Sequence, residues 1–296
     1  MPVQPSRLNV WIRASRPKTL WLTVSPVIIG TAMAYADGGL HLPSALAALL
    51  GAVMIQIGTN LANDYFDYAK GTDRPDRLGP LRVTQAGLVS PSVMKRATAL
   101  VFLLAVLAGA YLVYRGGWPI VAIGLISIAC GLLYTAGPLP LGYTGLADLF
   151  VLVFFGPVAV GGTYYVQTLH LTWPVILAGL APGLFSVAVL TVNNLRDIDS
   201  DRLSGKRTLA VRFGPTFARL EYVLAILFAC LIPAVLASGR AVMPWPLLPL
   251  LVLPLALPSA KLVLVNATGP VLNNVLAATG RLLFVYAILF TIGWLL

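Results

Sequence analysis

The stretch Asn60-Leu61-Ala62-Asn63-Asp64-Tyr65-Phe66-Asp67 ends a long apolar run, and its reading decides what kind of protein this is. With its continuation through Lys70, Gly71, Asp73, Arg74, Asp76 and Arg77, it holds four of only ten acidic residues. A second stretch answers it: Asn193-Asn194-Leu195-Arg196-Asp197-Ile198-Asp199-Ser200-Asp201-Arg202, then Lys206-Arg207. Steps of three and four residues relate Asn60, Asn63, Asp64 and Asp67, and likewise Asn193, Asp197 and Asp201, so each set lies on one helix face. Asn63-x3-Asp67 recurs as Asn193-x3-Asp197, while Asp199 falls off the second face.

Working outward, the chain is 58% hydrophobic and 10% charged. Soluble domains carry about 25% charged residues, so the composition implies a polytopic membrane protein. Apolar windows of bilayer length, about 20 residues each, fall at 19–36, 43–63, 97–114, 118–135, 146–166, 171–193, 220–238, 244–265 and 275–296. The expected fold is all-α: one membrane-embedded domain over 1–296, a bundle of nine transmembrane helices. The eighth window, rich in proline from Pro244 to Pro258, is expected to be irregular.

The net charge of +10 does not indicate a nucleic-acid partner, because the basic residues follow the membrane pattern. In a nine-span layout only Arg115 and Arg240 lie opposite the other Lys and Arg residues. The positive-inside rule then puts the N-terminus and both acidic stretches on the cytoplasmic side of the cell membrane. The N-terminal segment reads as a short interfacial helix and not as a signal peptide. Cys130 and Cys230 fall inside spans as packing residues.

Carboxylates at the membrane edge are functional candidates by default. Asp and Asn oxygens point to magnesium, which keeps several waters and bridges substrate phosphates through one or two carboxylates. Lys70, Arg77, Lys206 and Arg207 complement anionic oxygens that the metal leaves unneutralised. Together with an apolar bundle, these residues describe a site for a diphosphate with a long apolar tail, a prenyl diphosphate. Ionisation of its allylic C–O bond is the reaction such a site favours.

The turn-rich stretch from Tyr134 through Tyr143 to Asp148 is almost uncharged; its tyrosines are either interfacial aromatics or ligands. Lys18 is either a span anchor or a cation at the bundle mouth. His41 and His170 are expected to pack in external turns.

The two acidic stretches resemble the paired aspartate-rich motifs of the UbiA superfamily of intramembrane prenyltransferases. Finer features resemble its 1,4-dihydroxy-2-naphthoate polyprenyltransferase branch: Arg16-Pro17-Lys18-Thr19, Tyr134-Thr135-x-Gly137-Pro138, Asn193-Asn194-x-Arg196-Asp197 and Gly205-Lys206-x-Thr208. The resemblance implies magnesium-dependent transfer of a polyprenyl chain to the naphthoate, with loss of carbon dioxide and diphosphate. By motif position, Asn63, Asp67, Asn193, Asp197 and Asp201 would hold magnesium diphosphate, with Asp64 and Asp73 in support; Asn60 is a further substrate-binding candidate. Lys18 and the Tyr134–Asp148 loop would orient the acceptor. The superfamily's first motif commonly ends with Asp four residues after the position of Asp67; here that position is Gly71. A 4-hydroxybenzoate or homogentisate acceptor is the alternative within the class, and a membrane transporter the alternative outside it.

Overall fold

The computed structural model describes residues 5–71, 78–138, 140–238, 245–265 and 269–296. Asp73 and Arg77 of the first acidic stretch, and Arg240, lie outside the described residues. All regular structure among the described residues is helical. The helices are α1 (Arg7–Ser15), α2 (Trp21–Ala36), α3 (Leu42–Ala69), α4 (Pro91–Gly116), α5 (Trp118–Leu133), α6 (Ala147–Val153), α7 (Ala159–Thr168), α8 (Trp173–Arg196), α9 (Ile198–Leu203), α10 (Leu209–Ala237), α11 (Val252–Leu264) and α12 (Pro270–Leu295).

Among the described residues seven helical segments are long and apolar enough to cross a bilayer, and eight if the α1–α2 pair, bent by 53°, counts as one. The fourth window forms α5, a helix of only 16 residues. At 1.5 Å per residue it spans about 24 Å, short of the roughly 30 Å hydrocarbon core, which accounts for the difference from nine. The expected loop before the seventh span also differs. Thr208 caps a helix there by accepting from the Val211 amide at 3.3 Å, and the break falls instead at Gly214-Pro215, where Gly214 has φ 85°. The proline-rich eighth window enters as a 3₁₀ turn over Trp245–Leu251 before α11 begins.

The most buried of these helices is α8, which packs chiefly on α10 and meets α6, α7 and α12. Its small residues permit this close approach. Gly179 and Gly183 face the break between α6 and α7, where Gly156 leaves helical geometry ahead of Pro157. A Cβ on Gly183 would lie 2.3 Å from the Leu152 carbonyl, and one on Gly156 2.7 Å from the Gly179 carbonyl. Tyr164, Phe185, Tyr222 and Tyr286 fill the main core, with Tyr222 Oη 2.9 Å from Thr279 Oγ1.

A smaller core positions the site. Val10 and Ala14 of α1, Leu61 of α3, Met94 of α4, and Val83 and Val89 from the intervening loop pack together. That cluster pins the loop and α1 against the end of α3.

Gly183→Val is expected to destabilise the protein by about 2 kcal/mol or more through overpacking. Gly124, whose Cβ would meet nothing within 4 Å, gives the control Gly124→Ala. Melting in detergent should separate them; equal melting of both variants would contradict the backbone seam.

Candidate active site

The C-terminal end of α3, and the end of α8 with the short α9 that follows a break at Asp197, deliver the two acidic rows to one place. Asn60, Asn63, Asp67, Asn193, Asn194, Asp197 and Asp201 all line a single cavity of about 710 Å³. Its remaining walls are largely apolar, with Ile128, Phe150, Phe154, Val189 and Leu190 among them.

Each acidic residue that reaches the cavity has a basic partner. Arg82, from the loop pinned by the smaller core, forms a buried ion pair with Asp67. Arg196 chelates Asp197, with Nε 2.8 Å from Oδ1, while its other nitrogens reach Asn193 Oδ1 at 2.8 Å and Asn273 Oδ1 at 2.6 Å. Lys206 stands 3.0 Å from Asp201 Oδ1. Burial by itself would favour the neutral amine of Lys206, but the carboxylates of Asp201 and Asp67 outweigh it and raise its pKa.

The Tyr134–Asp148 segment closes one side. Lys70 donates to the Thr135 and Gly137 carbonyls at 2.6 and 3.1 Å, and Thr135 donates to Asn63 Oδ1. The ammonium groups of Lys70 and Lys206 lie 5.2 and 5.1 Å from the centre of the Tyr143 ring, a cation–π arrangement. The Arg207 amide donates to the Tyr143 carbonyl at 2.8 Å. Tyr134 lines the cavity too.

Several candidates stand elsewhere. Asp64 points at the neighbouring loop, where its two oxygens accept from the Val83 and Thr84 amides at 3.1 and 3.0 Å. Lys18 is exposed in the turn between α1 and α2, and it is Arg16, with φ 52°, that lines the cavity mouth. Asn60 ties that turn down by donating to the Ser15 carbonyl at 3.0 Å. Asp148 is buried on the far side of α6, outside the cavity lining. Asp199 is exposed and only 3.9 Å from Arg202. His170 packs in the opposite turn, where its Nε2 lies 2.9 Å from Tyr164 Oη.

Sequence reasoning missed Arg16 and Arg82 as site residues. The signal for Arg16 was its place before Pro17, which fixes a sharp entry into the first span. Nothing local marked Arg82, since its partner lies across a fold-dependent contact.

Fold and site together define a multi-pass membrane protein built around an apolar chamber whose polar end carries matched acids and bases. The chain belongs to the UbiA prenyltransferase family, whose model matches residues 23–270. It is 39% identical over 298 residues to a 1,4-dihydroxy-2-naphthoate octaprenyltransferase of Escherichia coli, covering 98% of this chain and 96% of that one. A protein of the same description from Mycobacterium tuberculosis is 40% identical over 281 residues, covering 94% of each. Among solved structures, a UbiA homolog from Aeropyrum pernix superposes with a TM-score of 0.72 at 15% identity, covering 92% of this chain and 98% of that one. A UbiA homolog from Archaeoglobus fulgidus bound to GPP and Mg2+ gives 0.65 at 13%, covering 95% and 99%.

Asp64→Ala removes two hydrogen bonds from backbone amides to a carboxylate and should lower the local opening free energy of the loop by about 2–3 kcal/mol. Hydrogen exchange at Val83 and Thr84 measures this. Unchanged protection would show that the smaller core alone holds the loop.

Proposed function

We propose that this protein transfers a polyprenyl chain from polyprenyl diphosphate to 1,4-dihydroxy-2-naphthoate in menaquinone biosynthesis, releasing carbon dioxide and diphosphate. The observation that carries this reading is the meeting of both Asn/Asp rows, with their basic partners, at the polar end of one apolar cavity. The near full-length likeness to naphthoate octaprenyltransferases supports the acceptor.

Asp67, Asp197 and Asp201, with Asn63 and Asn193, would hold the metal together with the diphosphate. The donor set suits a hard cation. Among the described residues no three His, Cys, Asp or Glu side chains stand close enough to hold an ion by themselves. That fits a magnesium ion completed by substrate oxygens and water. When bound, magnesium supplies neutralisation of the charge that develops on the leaving diphosphate.

Arg82 and Lys206 are placed to move from their carboxylate partners onto diphosphate oxygens, whereas Lys70 and Arg207 are exposed and outside the cavity lining. As the allylic C–O bond breaks, the electron pair leaves with diphosphate. The Tyr134 ring presents a π face beside the allylic cation, and the apolar wall keeps water from it. Arg16 is placed to take the acceptor's carboxylate at the mouth, the role that the sequence suggested for Lys18. A naphthoate ring carbon then forms the new C–C bond, and the carboxyl group departs as carbon dioxide. In this reading α5 is the ninth crossing, the N-terminus is cytoplasmic, and the whole chain is one membrane-embedded domain with its site facing the cytoplasm.

The test is incubation of purified protein with dihydroxynaphthoate, a set of prenyl diphosphates and magnesium, with mass analysis of the lipid product. Asp67→Ala and Asp197→Ala should each lower kcat by at least about a hundredfold, and a chelator should stop the reaction. Full transfer by either variant, or preferential use of 4-hydroxybenzoate, would contradict the assignment. Arg16→Met should raise the acceptor KM about tenfold or more, as expected for a lost charged hydrogen bond, and leave the KM for prenyl diphosphate unchanged. An unaltered acceptor KM would remove Arg16 from its role.

A further inference from the structure

The seven-residue helix α6 has cavities on two of its faces. Phe150 and Val151 line the reaction chamber. Asp148, Leu149 and Leu152 line a separate crevice of about 360 Å³ between α6, α8 and α10. The crevice is open to the bilayer, since Leu149, Leu220 and Phe228 at its edge are each more than half exposed.

Its interior is apolar except for two carboxyl groups. Glu221 projects from α10, and Thr191 of α8 donates to its Oε2 at 3.1 Å. Asp148 is 7% exposed, and neither of its side-chain oxygens receives a hydrogen bond from another described residue. A buried acceptor left unpaired is costly, more so when charged, and in native proteins such groups call for a specific explanation. Among the described residues lining the crevice none is basic. The site therefore lacks a basic partner for a phosphate, and its polar groups are two carboxyls at the base of a greasy slot.

We infer that this crevice is a second ligand site, and that it binds the diol ring of a prenylated naphthalenediol arriving from the bilayer. Two phenolic hydroxyls donate to Asp148 and Glu221. The flat ring lies against Leu184, Val187 and Phe217, and the isoprenoid tail runs out past Phe228 into lipid. This inference rests on the prenyl-transfer reading for its ligand, because such a diol is the class of product that reaction releases one helix away. Carboxylates accept from the diol hydroxyls but offer no donor to the oxidised quinone, so with its carboxyl groups ionised the crevice distinguishes the reduced from the oxidised lipid.

The experiment uses the full chain in lipid nanodiscs, with its reaction chamber filled by magnesium and unreactive geranylgeranyl thiodiphosphate. Native mass spectrometry counts bound short-chain prenylated 1,4-naphthalenediol under reductant, then the corresponding quinone, then added phosphatidylethanolamine. One diol per chain is expected to remain, with the quinone bound about tenfold or more weakly, the size of effect expected for a lost hydrogen bond to a charged group. Glu221→Gln should weaken the diol by a similar factor, and Leu224→Trp, which fills the crevice while keeping both carboxyl groups, should abolish it. Both variants should melt as the parent does and retain its prenyl-transfer rate; if Glu221→Gln misfolds, Leu224→Trp carries the test. No retained diol, undiminished binding in a folded variant, or displacement by phosphatidylethanolamine at equal concentration would overturn the inference while leaving the enzyme assignment intact. Diol binding that depends on Glu221 in a protein without prenyl-transfer activity would do the reverse.

Discussion

Three carboxylates buried at the polar end of one chamber are each matched by a basic residue, and that matching organises this molecule. Asp67 is held by Arg82, Asp197 by Arg196 and Asp201 by Lys206. Removing one member of a buried ion pair typically costs about 3–5 kcal/mol, because the other charge is left without compensation. Two of the basic residues also tie distant segments together. Arg82 brings the loop after α3 onto the first acidic row, and Arg196 reaches through Asn273 to α12, whose side-chain amide in turn donates to the Leu78 carbonyl at 2.9 Å. The polar end of the chamber is thus a connected lattice.

The bundle supplies the rigidity that this lattice needs. With α8 almost wholly buried, the second acidic row emerges from the most constrained element in the chain. Its glycine seam against the α6–α7 break brings backbones within reach of each other, and that break carries the aromatic wall of the chamber past the substrate's expected path. The same short segment presents Asp148 to a lipid-facing crevice, so one structural device serves two cavities.

Much of this was legible in the chain itself. Period and hydropathy located the helices, because lipid imposes a length and a composition that few soluble segments meet. The three- and four-residue spacing located Asn63, Asp67, Asn193, Asp197 and Asp201, because a helix turns spacing directly into a face. What was not legible depends on contacts between distant segments. Asp64 shares a face with Asp67, yet its direction is set by the Val83 and Thr84 amides of a loop whose course no local pattern predicts. Arg16 and Lys18 are two residues apart, and only the left-handed turn at Arg16 decides which of them lines the chamber. The shorter count of bilayer-length helices has a simpler cause: α5 is apolar throughout, but composition does not reveal that its helix stops at Leu133.

In the proposed reaction the acid–base pairs would make metal and diphosphate partners in binding. The carboxylates would release their basic residues to the diphosphate as a metal took their place, so that neither ligand would gain the full set of contacts alone. Calorimetric titration of magnesium into the protein, with and without unreactive geranylgeranyl thiodiphosphate, measures this coupling directly. The account predicts weak magnesium binding to the protein alone and at least about tenfold tighter binding with the diphosphate present, a coupling of roughly 1.4 kcal/mol or more. Equal magnesium affinity in the two titrations would contradict it.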